Sequence, residues 1–441
     1  MSAPPGAVTA SADAERLRGP VVTGLVGKAA EMVTLLLLAT VVPRALGPAD
    51  YGRFAVALTV VAIGSVAMTL GGATLLARYV PAATPDERGA LARALSVRLA
   101  RNRAVLFAAL TVIATALVTW DPARFPPLLT VFVLIALALN VAATLALQAD
   151  LGLGRAGAWC ARYPVQNAVL VVVAIVLYDA AGTTGAVAAI VVSAAVAFGL
   201  GVVAVTPLLR QRLPPVAVPE GALRFGLLHA TSGALVQVAQ RGGVIAVALL
   251  AASSVQTGFA ALAIGVALAA TYAIVQVFTV SLPRLAERRG GLTGAESSLR
   301  RLAGGLLAVV VPVAAGTVLA IDAAVPIVFG AGYAGAAGAF GPALAMVVLA
   351  PVNALVVQAA ALRLRPEATL YAALAGALGF TGAAVLAVPA WGAAGATGAA
   401  LAGAAAYALV AIRLLPGAVG VRLTVASLGG ATVVILLGVI T

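Results

Sequence analysis

The chain has 441 residues, of which 63% are hydrophobic and only 9% charged, with a mean hydropathy of +1.13. A soluble domain carries about a quarter charged residues, so this composition excludes a soluble globular protein, a disordered chain and a disulfide scaffold. The net charge of +13 raises nucleic acid as a partner, and the placement of the cations decides against it below.

Residues 1–20 are polar and rich in Pro and Ala, with no apolar core of the signal-peptide kind. They read as a short cytoplasmic tail over 1–19. Apolar stretches then follow at 21–42, 54–78, 104–120, 128–148, 163–178, 184–209, 226–250, 257–282, 303–321, 338–361, 368–388 and 393–412, with a weaker one at 423–440. About 20 apolar residues cross the hydrocarbon as a helix, whereas a membrane barrel would alternate in segments of roughly ten. The predicted fold is therefore an all-α, polytopic transmembrane helix bundle of twelve spans plus a thirteenth. The polar insertion 210–225, with Arg210-Gln211-Arg212-Leu213-Pro214-Pro215, divides it into two six-helix lobes, 20–209 and 226–415, followed by an extra C-terminal span in 416–441.

Arginine sets the orientation. With the N-terminus cytoplasmic, inner segments hold 22 arginines, among them Arg78, Arg88, Arg93, Arg98, Arg101 and Arg103, and outer loops hold only Arg44, Arg53 and Arg124. This alternation is the positive-inside pattern, so the basicity is topological. Anionic membrane lipids are its expected partner and nucleic acid is not. The Arg88–Arg103 run is expected to form a basic inner surface. Cys160 is the single cysteine, which excludes an internal disulfide and argues against a metal site.

Two nucleotide-like motifs are coincidental. Gly152-Leu153-Gly154-Arg155-Ala156-Gly157 fits the dinucleotide fingerprint but follows a membrane span rather than a strand. Gly24-Leu25-Val26-Gly27-Lys28 is too short for a phosphate-binding loop. No cofactor is expected.

Ionisable residues inside spans are the stronger lead, since an isolated charge there costs a few kcal/mol. Lys28 and Glu31, three apart, share one face of span 1, at depths of about 10 Å and 15 Å by the helical rise. Lys28 either snorkels, neutralises Glu31 or lines a cavity. Glu31 is either a structural partner or a cavity group open to protonation. Arg241 sits past the middle of span 7 within Gln237-Val238-Ala239-Gln240-Arg241, as a cavity cation or a tie to Glu31. These five residues (Lys28, Glu31, Gln237, Gln240 and Arg241) are the candidate substrate-binding set. No catalytic residue is assigned, and His229 has no acid–base partner in sequence. A weak internal echo links Gly52-Arg53-Phe54-Ala55-Val56-Ala57 at the start of span 2 with Gly258-Phe259-Ala260-Ala261-Leu262-Ala263 at the start of span 8. Repeated halves are a common plan of secondary transporters, which place substrate between them near the midplane.

Pro43-Arg44-Ala45-Leu46-Gly47-Pro48-Ala49-Asp50-Tyr51-Gly52-Arg53-Phe54 resembles the signature of bacterial polysaccharide-lipid (Wzx-like) flippases, in the superfamily that also holds MATE-type multidrug exporters. Leu76-Ala77-Arg78-Tyr79, Ser281-Leu282-Pro283-Arg284-Leu285-Ala286, Val328-Phe329-Gly330-Ala331-Gly332-Tyr333 and Trp391-Gly392-Ala393-Ala394-Gly395 follow in the expected order. The resemblance spans roughly residues 20–415. It implies two lobes alternating about a central cavity, in a bacterial cytoplasmic membrane, that pass a polyprenyl-pyrophosphate-linked oligosaccharide to the outer leaflet. It also implies that Lys28 and Arg241 meet the anionic head, and that glycan polymerases or glycosyltransferases of the same pathway are partners. The family often carries Asp-Arg in span 7, where this chain has Gln240-Arg241, so any proton coupling would fall to Glu31. A MATE-type drug antiporter is the alternative, although it calls for several midplane carboxylates. A membrane-bound glycan polymerase or ligase ranks third, for want of a large outer loop or clustered acids.

Overall fold

A computed structural model describes the backbone of residues 6–123, 125–251, 253–286, 291–363 and 365–440, and side chains within these ranges except before residue 26 and over 280–293. The side chains of Arg16, Arg18, Arg124, Arg284, Arg288 and Arg289, and those of the motif at 281–286, lie outside what is described.

The described chain is helical almost throughout. In order the helices are α1 (Gly6–Met68), α2 (Gly72–Ala82), α3 (Arg88–Trp120), α4 (Pro127–Gly152), α5 (Gly157–Arg210), α6 (Ala222–Leu250), α7 (Ser254–Ala286), α8 (Gly291–Leu319), α9 (Ile321–Phe329), α10 (Ala337–Leu362), α11 (Pro366–Leu414) and α12 (Val421–Ile440), with a 3₁₀ turn at Ala331–Ala336. Among the described residues, ten helical segments are long and apolar enough to cross a membrane.

Three of the ten are too long for one crossing. At 1.5 Å per residue the 63 residues of α1 would run about 95 Å, three times the hydrocarbon thickness. Each is interrupted by non-helical backbone: α1 at Gly47, α5 at Ala181 and Gly182, α11 at Gly392. Gly47, Gly182 and Gly392 all have positive φ, which a side chain resists. The halves of α11 then fold back on each other. Gly376 lies against Gly403 and Tyr407, and Gly379 against Ala402 and Ala406, both pairings centred near Gly392. In α5, Leu177 and Gly185 meet in the same way. Ten segments with three internal breaks give the thirteen crossings that hydropathy predicts.

Within each half the helices pack mainly on one another, α4 on α5 and α1 on α5 in the first, α6 on α11 and α10 on α11 in the second. α12 packs on α8 and α10, and α1 crosses to meet α6 and α7. Small residues permit this closeness: Gly243 faces Ala396, and Gly403 faces Ala239.

The structure departs from the sequence reading in two places. The predicted single span over 54–78 is broken after Met68, where Leu70 (φ 46°) and Gly71 (φ 69°) leave the helix before α2 begins. Arg103, expected on a basic surface, is buried. Its guanidinium binds carbonyls at that break, donating from Nε to Met68 O at 2.7 Å and from Nη2 to Thr69 O. A helix end buried in protein needs such a donor, which is why this arginine leaves the surface.

Candidate functional site

The first half of α1 brings Lys28 and Glu31 onto one face, and they form an ion pair of 2.8 Å. Their side chains are 24% and 7% exposed. The third member was not legible in sequence: Tyr272 of α7, in the other half of the protein. Its hydroxyl donates to Glu31 Oε1 at 2.7 Å and accepts from Lys28 Nζ at 2.8 Å. Lys28 Nζ also stands 4.9 Å from the Trp159 ring centroid and 5.5 Å from that of Tyr272, within range of cation–π attraction. Both oxygens of Glu31 are thus hydrogen-bonded and its charge is neutralised within the cluster, the condition for holding ions in a low-dielectric interior. Because Tyr272 belongs to α7, the cluster also joins the two halves.

Arg241 on α6 has different surroundings. Its Nε donates to Gln237 Oε1 at 2.7 Å, one helical turn earlier. Among the described residues no carboxylate forms a salt bridge with it, and Glu31 is taken by Lys28 and Tyr272. The tie from Arg241 to Glu31 is therefore not formed, and the partner of Arg241 is a neutral amide. Arg241 lies deep in the protein but keeps part of its surface accessible. Tyr163, one turn after Trp159 on α5, is within electrostatic reach of both Arg241 and Tyr272, so the two charged groups border one region between α1, α5, α6 and α7. Gln240 is half-buried beside Arg241. Arg162, buried on α5, adds a further cation beside this region, its guanidinium 4.7 Å from the Tyr163 ring and its Nη2 donating to Asn140 Oδ1 at 2.9 Å.

His229 stacks on Phe225, ring centroids 6.4 Å apart. Gly152 closes α4 and Gly157 opens α5, so the dinucleotide-like motif is a helix–helix turn with no strand before it.

Three of the resemblance motifs, those at 43–54, 328–333 and 391–395, gather at the end of the bundle opposite the arginine-rich side, whereas Tyr79 of the motif at 76–79 packs on Phe225 at the other end. Gly47 allows the turn after the first half of α1. Asp50 then accepts from Thr183 Oγ1 at 2.5 Å, Tyr178 Oη at 2.9 Å and Arg53 Nη1 at 3.2 Å, binding the turn to α5. Tyr333 inserts among Tyr51, Phe259 and Phe329 and donates its hydroxyl to Pro43 O at 3.0 Å. Gln256 Oε1 accepts the backbone N–H of Ala393, next to Gly392, at 3.0 Å. At this end the halves touch backbone to backbone. A Cβ on Gly52 would lie 2.8 Å from Gly258 N, and one on Gly258 would strike Pro48 O. Gly52 and Gly258 are the glycines that open the two echo segments. Equivalent positions of the halves meet each other, as positions near a two-fold axis do.

Comparison with known proteins decides the family. The profile described as polysaccharide biosynthesis protein matches residues 41–337, two thirds of the chain. The chain belongs to the polysaccharide biosynthesis protein family. No curated protein sequence matches. Among solved structures, this polysaccharide biosynthesis protein is similar to the lipid II flippase MurJ in an inward closed conformation, with TM-score 0.69 at 9% identity, over 95% of this chain and 96% of that one. It is similar to a MATE transporter of Vibrio cholerae, with TM-score 0.55 at 16% identity over 91% and 95%. It is also similar to a transporter of the MOP superfamily from Pyrococcus furiosus, with TM-score 0.56 at 14% identity over 94% and 94%. At such identities the likeness is one of fold. The fold is that of multi-pass membrane transporters and flippases.

Proposed function

We propose that this protein is a secondary-type transporter that flips a polyprenyl-pyrophosphate-linked oligosaccharide from the inner to the outer leaflet of a bacterial cytoplasmic membrane, for surface polysaccharide synthesis. The observation that carries the reading is Arg241: a permanent cation held between the halves with only a neutral amide against it. So costly a group calls for a partner or a wet cavity, and a pyrophosphate head would supply an anionic partner. Lys28 would offer the head a second cation once its pairing with Glu31 and Tyr272 opens. The polar head then travels between the halves while the prenyl tail stays in lipid, so no sugar enters hydrocarbon. Gln237 and Gln240 supply neutral hydrogen-bonding groups beside it.

Glu31 fits the role of coupling group. Protonation would remove its charge, release Lys28 and weaken the Tyr272 bond between the halves, so that proton binding and movement of the halves are linked. The drug-antiporter reading is weaker because the one carboxylate in this region is engaged by two partners.

The test is leaflet transfer of a fluorescent polyprenyl-pyrophosphate saccharide in vesicles holding the purified protein. The wild type is expected to move it, and Arg241→Gln to slow it at least tenfold, as expected when about 1.4 kcal/mol of head binding is lost. Equal transfer by the variant removes Arg241 from the mechanism. Export of a lipophilic cation by the wild type, with no transfer of the lipid-linked sugar, would establish the antiporter instead.

A further inference from the structure

The inter-lobe connection holds a second anion-binding feature, well away from Arg241. The first turns of α3 are amphipathic. Leu91, Ala92, Leu95 and Leu99 are buried, and Leu213, Val216 and Val218 of the non-helical segment after α5 pack against that cluster. A neighbouring face, carrying Arg93, Val97, Arg98 and Arg101, forms one wall of a groove of about 560 Å³ whose other wall is the stretch from Leu213 to Val218. These four α3 residues are all exposed. Arg93 Nη1 makes only a long contact, 3.4 Å, to Gln211 O, and no acidic residue lines the groove. Three guanidinium groups around a floor of Val97, Leu213 and Val216 suit a phosphodiester with apolar substance attached, at the level where the arginine-rich side meets the headgroups.

We infer that this groove binds the headgroup of an anionic phospholipid of the inner leaflet, and that the bound lipid clamps the connection between the two halves to α3. The site is independent of the substrate proposed above and stands whether or not that proposal holds. Its chemistry is that of charge-assisted contacts to phosphate oxygens, and the apolar floor sets it apart from a merely basic surface. The occupant is a lipid rather than free phosphate because Val97, 62% exposed, would otherwise face water in the groove.

The experiment is binding of dihexanoyl phosphatidylglycerol, below its micelle concentration, to the full-length protein in neutral detergent. Near an anionic headgroup each Arg contributes about fivefold. The R93Q/R98Q/R101Q variant is therefore expected to bind about a hundredfold more weakly, and R98Q alone about fivefold. A control of equal charge change, R301Q/R413Q/R422Q, is expected to stay within about threefold of the wild type. V97W, which fills the floor and leaves the charge intact, is expected to bind at least tenfold more weakly, and with R98Q it decides the matter if the triple variant does not fold. Equal losses in the triple variant and the control would show diffuse attraction and overturn the inference. So would inorganic phosphate binding as tightly as the lipid with V97W neutral. Displacement of the phosphatidylglycerol by farnesyl pyrophosphate at lower concentration would also overturn it, by making the groove a port for the transported head.

Discussion

The Lys28–Glu31–Tyr272 cluster allows a stringent test, because its stability should depend on pairing and not on either charge alone. Lys28→Met leaves Glu31, 7% exposed, ionised with one hydroxyl for company. Removing one partner of a buried pair costs about 3–5 kcal/mol, and the quarter exposure of Lys28 places this case near 3. Glu31→Gln leaves the ammonium with the Tyr272 oxygen and two aromatic faces, which return about 1–2 kcal/mol, so its cost is about 2. The double variant leaves no charge, and replacing a buried pair by uncharged groups is about neutral. The coupling energy is therefore about 4–5 kcal/mol. For 441 residues the unfolding entropy of about 2.1 cal/mol/K per residue converts 1 kcal/mol into about 1 °C. Thermal unfolding in detergent should show drops of about 3 and 2 °C for the single variants and a change under about 1 °C for the double. A double variant that falls by the sum of the two single drops would show that the ion pair plays no part in the folded protein.

Other consequences follow from contacts elsewhere. Gly52→Val forces apart the backbone contact with Gly258, and overpacking of about 1–3 kcal/mol should favour separation of the halves at that end. A cysteine at Val56, which lines the cavity there, in a Cys160→Ser background, should then react about fivefold faster or more with an impermeant maleimide, and an unchanged rate would refute the role of this contact. Arg363 grips Glu296 through Nε (2.6 Å) and Nη2 (3.0 Å), an interaction that holds the Arg363 pKa above its ordinary value. Glu296→Gln should lower the melting temperature by about 2–3 °C, and Arg363→Lys should fail to match the wild type because an ammonium cannot reproduce the fork. Arg241→Met should leave stability unchanged or raise it by about 1 °C, since the cost of a mid-span Arg exceeds what the Gln237 bond returns. A fall of several degrees would make Arg241 a structural tie.

Hydropathy made the thirteen crossings legible because membrane insertion is decided segment by segment, by local composition. Arginine placement made the two ends of the bundle legible for the same reason. The pair one helical turn apart, Lys28 with Glu31, was also readable, whereas the sequence allows Arg241 a tie to Glu31 and the side chain instead holds Gln237. Tyr272 was not legible, because a tyrosine 241 residues distant becomes a partner only through the packing of α1 on α7. Trp159 and Tyr163 were hidden likewise. The break after Met68 escaped because a helix interrupted inside protein keeps its hydropathy; Leu70-Gly71-Gly72 was the one local sign, and Arg103 was read by its charge before its partner carbonyls were visible. The flippase-like motif was conspicuous in sequence, yet its residues are occupied with folding the turn at Gly47 and seating Tyr333. Chemistry resides in sparse single residues instead.

That division has a physical basis. A motif of twelve adjacent residues can specify a turn, a backbone approach between glycines and a carboxylate collecting three donors, because these are short-range requirements. A site that passes a large glycan, as the proposed function requires, could not be specified so densely, for every fixed partner would have to be displaced during passage. Lys28–Glu31 and Arg241 differ in how their charges are held. Lys28 and Glu31 neutralise each other and borrow Tyr272 to join the halves, an arrangement that stabilises this conformation. Arg241 is given an amide and no acid, which stabilises little and leaves its attraction available. A pair that opens and a cation without an acid are what the proposed carriage of an anionic lipid head would use, and the stability of Arg241→Met separates that use of the cation from a structural one.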